Sequence, residues 1–172
     1  MNKWVIGLVF LTGGLLAGCG PDYEFREFTF EDEGFAVEFP GQPKKSTQIP
    51  PGSPRQTIWT AEVGNNEFQV FHQRVLEGAV DFKAAEQRIR ERMGGEILFP
   101  KEDITTAIGY KGVELEFRIT KPARLNIVSR WVVANGAFYQ AQVVGPNINR
   151  KSSDVRKFLG SFRIFKARES EK

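Results

Sequence analysis

Alternation of apolar and polar side chains dominates this chain and predicts a protein built mainly from strands. Phe35, Val37 and Phe39 alternate with Ala36 and Glu38 until Pro40 stops the run. Val113, Leu115, Phe117 and Ile119 alternate with Glu114, Glu116, Arg118 and Thr120, the period of a strand with one wet face. Residues 57–63 and 68–75 are rich in β-branched and aromatic side chains and flank the turn residues Gly64, Asn65 and Asn66. Residues 127–134 and 137–144 flank Asn135-Gly136, a pair that accepts positive φ at both positions and predicts a tight hairpin. In such a hairpin Trp131 faces Gln140.

Two segments change period. Asp81 can cap a helix whose inward stripe is Phe82, Ala85, Ile89 and Met93, and Gly94-Gly95 then stops it. A shorter helix is expected over 153–159 with Val155, Phe158 and Leu159 inward, ended by Gly160 and followed by a last strand over 162–165. Residues 41–54 hold four of the nine prolines and are expected to form a surface loop between strands. The order of elements predicts an α+β fold: a mainly antiparallel sheet with two helices packed on it. Residues 34–40 (GFAVEFP) and 158–162 (FLGSF) resemble the two ends of the PsbP-like and DcrB-like group of α/β/α domains. That resemblance implies an α/β/α sandwich and auxiliary or assembly roles. Both motifs are packing motifs, so no functional residue carries over.

The N-terminus follows a different plan. Lys3 precedes an apolar stretch from Trp4 to Leu16, closed by Ala17 and Gly18, which is the build of a signal peptide. The stretch falls short of the roughly 20 apolar residues of a helical span. Leu16-Ala17-Gly18-Cys19 resembles the lipobox of bacterial lipoproteins. The resemblance implies acylation of Cys19, cleavage before it, and a protein held by lipid on the cell membrane or outer membrane, facing the periplasm or exterior. Gly20, in place of an Asp, points to the outer membrane where the host has two. The expected organisation is a signal peptide over 1–18, a lipidated tether over 19–27, one domain over 28–166 and a polar tail over 167–172.

Loss of residues 1–18 removes Lys3 and no acid, so the formal charge falls from +3 to +2. A near-neutral total argues against nucleic acid as a partner. With the one cysteine committed to lipid, no disulfide remains, and stability rests on a core that buries roughly two-thirds of the unfolded surface.

Chemistry is sparse. The one histidine, His72, lies in phase with Phe68 and Val70 and reads as a strand-end residue, not a catalytic base. One His cannot supply a transition-metal site, no Gly-x-Ser-x-Gly elbow is present, and Gly94-Gly95 follows its helix where a phosphate loop precedes one. No metal and no cofactor are expected. The acids at 31–33 and 102–103 read as solvated turn charges. Glu114 and Glu116 share one strand face, where Arg118 offers an ion pair. Two basic clusters stand out: Lys83, Arg88, Arg90 and Arg92 on the first helix, and Arg150, Lys151, Arg156 and Lys157 around the second. Either can face anionic headgroups beside the anchor, or form a solvated helix face laced with i, i+4 pairs. Trp131, Tyr139 and Gln140 are the candidate recognition surface.

The leading functional expectation is a non-enzymatic, membrane-anchored module that binds or assembles with another envelope protein. The alternatives are a small-molecule or lipid carrier with an apolar cavity between helix and sheet, and a hydrolase using carboxylates distant in the chain.

Overall fold

The computed structural model describes residues 23–49, 54–75, 80–92, 95–120 and 123–166. Among the described residues ten strands and two helices run in the order β1 Arg26–Phe30, β2 Phe35–Phe39, β3 Lys44–Gln48, β4 Gln56–Val63, β5 Asn66–Arg74, α1 Phe82–Arg92, β6 Glu96–Thr105, β7 Lys111–Ile119, β8 Leu125–Ala134, β9 Ala137–Gly145, α2 Ser153–Ser161 and β10 Arg163–Ile164. A seven-stranded sheet has the order β3-β4-β5-β9-β8-β7-β6, and a three-stranded sheet the order β1-β2-β10. All pairings are antiparallel. The architecture is α+β.

Turn chemistry sets the large sheet. Asn135 and Gly136 both adopt positive φ, 52° and 68°, which matches the twist of the strands they join. Gly64, at φ 58°, turns β4 into β5. The β8–β9 register sets Trp131 opposite Gln140, as the hairpin spacing requires.

The two faces of this sheet feed two cores. On one face Val70, Val128, Val132, Tyr139, Ala141 and Val143 meet α2 and the small sheet, with Phe35, Val37, Phe39, Phe158 and Leu159 filling the gap. Phe39 and Phe68 both pack on Phe158, at ring centroids of 5.3 and 5.4 Å. On the other face Val113, Leu115, Phe117, Ile127 and Trp131 lie under Ile89, with Phe82 and Ala85 at the margin. Asp81 caps α1 as expected: its Oδ1 accepts from Lys83 N at 2.8 Å and Ala84 N at 3.1 Å. Beyond the other end Gly95 N donates to Ile89 O at 3.1 Å. A Cβ at Gly95 would meet Ile89 Cγ2 at 2.6 Å. Met93 and Gly94 lie outside the described residues.

Four expectations change. The 41–54 segment is not all loop, because Lys44–Gln48 pairs with β4 as an edge strand. Every β3 side chain is exposed, so the strand carries no apolar alternation. Residues 96–105 form the other edge, β6, whose ladder to β7 is broken by two register shifts. Glu102 and Asp103 are therefore strand residues and not turn charges. Tyr23 and Phe25, in the expected tether, are seated on the domain, and β1 begins at Arg26, inside it. Gly160 does not end α2: the helix runs to Ser161, whose Oγ donates to Phe158 O and accepts from Glu38 N, both at 2.9 Å.

Candidate functional site

The residues expected to form a recognition surface do not share one. Trp131 is 4% exposed and Tyr139 1% exposed, and they belong to opposite cores. Trp131 packs beside Phe82 and Phe138, and its Nε1 donates to Ser129 Oγ at 2.7 Å. Tyr139 packs on Phe35 and Phe162, and its hydroxyl donates to Glu33 O at 2.7 Å. Burial of that phenol pushes its pKa up to about 12. Gln140 is half-buried and begins a polar ribbon over the sheet: Gln140 Nε2 donates to Gln142 Oε1, and Gln142 Nε2 to Gln69 Oε1, each at 2.6 Å. The fourth site residue, Cys19, lies outside the described residues.

A charged network occupies the α2 side of the sheet. Glu114 on β7 is level with Arg130 on β8. Arg130 Nε and Nη2 both donate to Glu114 Oε2, at 3.2 and 2.8 Å, and Nη1 donates to Leu159 O. Arg150 bridges Glu102 and Glu114 and lies over the Phe99 ring. Glu116, only 3% exposed, accepts from Arg150 N at 3.1 Å. The partners of Glu114 and Glu116 are thus Arg130 and Arg150. Arg118, expected to pair with them, lies on the same strand face but meets Glu96 and Asn126 instead. The carboxylates brace β7, β8 and the turn before α2.

Beside this network opens a cleft of about 710 Å³, within the range of ligand sites. One wall is residues 104–108, the end of β6 and the turn after it. The other is residues 160–165, the end of α2 and β10, and Arg130 also lines the cleft. The apolar lining comes from Ile104, Ile108, Phe162, Ile164 and Phe165. Ile108 is 56% exposed at the rim. Both walls are sheet margins, because β10 and β6 are outer strands of their sheets. Phe165 N bonds to Gly34 O, and Arg163 is level with Ala36, so alternation turns the main-chain groups of Ile164 away from β2. With the Arg130 donors held by Glu114 and Leu159, the cleft suits apolar groups better than anions.

No family model and no curated protein matches the chain. In structure it is similar to cyanobacterial PsbP (CyanoP) from Synechocystis sp. PCC 6803, with a TM-score of 0.62 and 11% identity over 88% of this chain and 100% of that one. The fold is PsbP-like. PA94 from Pseudomonas aeruginosa, a protein of unknown function, aligns at a TM-score of 0.45 and 11% identity, over 77% of this chain and 85% of that one. The PsbP-like likeness identifies an architecture and assigns no residue a role. The cleft was not legible in sequence, because its walls lie some fifty positions apart and the one motif they share, at 158–162, is a packing motif.

Proposed function

We propose that this protein is a non-enzymatic lipoprotein, anchored outside the cytoplasm through Cys19, that binds another envelope protein through the cleft between β6 and β10. The observation that carries this reading is the combination of an open apolar cleft with a neighbouring charge network satisfied within the chain. An extended segment of a partner can hydrogen-bond the outward main chain of Ile164 while its apolar side chains meet Ile104 and Ile108. The expected anchor and the PsbP-like fold are consistent with an auxiliary role. In favour of a non-enzymatic role, Glu114 and Glu116 are bound by Arg130 and Arg150.

The cleft volume favours a second reading, a carrier of a small apolar molecule. One experiment separates the two. A photo-crosslinking residue replaces Ile108 in the full-length protein in cells, followed by capture and mass spectrometry. One dominant protein adduct, lost on Ile164→Lys in a folded variant, supports the assembly role. Absence of a protein adduct, with a small molecule retained in native mass spectra, overturns it in favour of the carrier.

A further inference from the structure

Of the two basic clusters read in the sequence, the one around α2 sits where the chain enters the domain. The Tyr23 hydroxyl donates to the Asp154 carboxylate in the first turn of α2. Its ring lies 6.0 Å from Phe25, which packs edge-on against Phe68 at 5.8 Å and carries Lys157 Nζ 4.9 Å from its centroid. The chain is therefore seated from Tyr23 onward. Four peptide steps separate Cys19 from Tyr23, and even fully extended they reach at most ~14 Å. An acyl group on Cys19 sets this end of the domain within that distance of the leaflet.

The charge at this end fits a phospholipid surface. Lys151 and Arg156 are exposed, and neither has a carboxylate partner among the described residues. Lys157 joins them, 3.6 Å from Glu38 and half-exposed. On α1, by contrast, Arg90 is paired with Glu86 at 3.0 Å. We propose that the surface formed by the turn before α2 and the first half of that helix, presenting Lys151, Arg156 and Lys157, lies against the anionic headgroups of the anchoring leaflet. This rests on lipidation of Cys19. Its consequence is a fixed orientation: Gly160 and Ser161, which line the cleft, close the C-terminal end of α2, about 5–8 Å along the axis beyond Arg156 and Lys157, so the cleft stands farther from the lipid than the basic surface.

The test uses the full-length acylated protein in vesicles of phosphatidylcholine with 30 mol% phosphatidylglycerol, and in pure phosphatidylcholine. A fluorophore is attached at Arg156→Cys or Ile108→Cys, and headgroup nitroxide quenching is read. The expected result is strong quenching at 156, increased by the anionic lipid, and little at 108. Lys151→Glu with Lys157→Glu should lower the anionic enhancement at least fivefold. Equal quenching at both sites, stronger quenching at 108, or indifference to the anionic lipid overturns the orientation. A purified protein whose mass lacks acyl chains overturns the anchoring reading itself, so the two failures are distinguishable.

Discussion

Tyr23 and Asp154, 131 positions apart in sequence, are joined by a hydrogen bond that fastens the start of the described chain to the first turn of α2. Burial, and then the carboxylate it donates to, raise the phenol pKa to about 12, so the donor proton is kept through the physiological range. Tyr23→Phe removes the bond and keeps the ring beside Phe25. With a net hydrogen bond of about 1 kcal/mol, local opening becomes roughly fivefold more frequent. Amide exchange at residues 23–26 should rise by that factor while the unfolding midpoint hardly moves. Asp154→Asn retains an acceptor and should show less.

Arg130 carries a larger share of stability. It binds Glu114 through two nitrogens and Leu159 O through the third, joining β7, β8 and the end of α2. Both side chains of the pair are mostly buried. Arg130→Met leaves Glu114 with Arg150 at 3.8 Å, and should cost about 3 kcal/mol in urea unfolding. Arg130→Lys cannot restore the forked contact and should recover less than half of the loss. Adding Glu114→Gln to Arg130→Met should cost less than the sum of the single changes, since the two act as one unit.

Trp131 is the keystone of the α1 face and not a contact for a partner. It is buried among Val113, Leu115, Ile127 and Phe82. Trp131→Ala should cost about 3–5 kcal/mol and leave Ser129 Oγ without its indole donor. Loss of exchange protection in α1 should precede loss in β5 and β9. Capture of a partner by molecules that remain folded should be unchanged, because the cleft is elsewhere.

The elements that alternate apolar with polar residues were legible in the sequence, although the face of β7 expected to be wet is covered, with Glu116 buried beside Glu114. Val113 to Ile119, the Asn135-Gly136 hairpin and the Asp81 cap all follow their local chemistry. The edge strands were not. β3 buries nothing, and β6 combines Pro100 with charged residues and broken ladder pairing, so neither carries the periodic signal. The proposed recognition surface failed for a reason already present in the hairpin. If Trp131 faces Gln140, its neighbour Tyr139 must point to the opposite side of the sheet. The cleft depends on how two separate sheet margins approach each other, which no local pattern encodes.

His72 gives the domain a measurable acid dependence. Its ring lies 5.1 Å from the Tyr139 ring, and burial holds its pKa below the ordinary 6.5. Glu33 opposes that shift, while Arg74 and Lys45 reinforce it. The folded state therefore favours the neutral imidazole, and the unfolded chain takes up the proton first as pH falls. The contribution is intact above pH 6.5 and is lost as the pH drops from there through the lower folded pKa. His72→Phe keeps a ring against Tyr139 and removes the titration. Thermal midpoints at pH 7.5 and 5.5 should fall for the parent by more than for the variant. An equal fall in both proteins would assign the acid sensitivity to the carboxylates and not to His72.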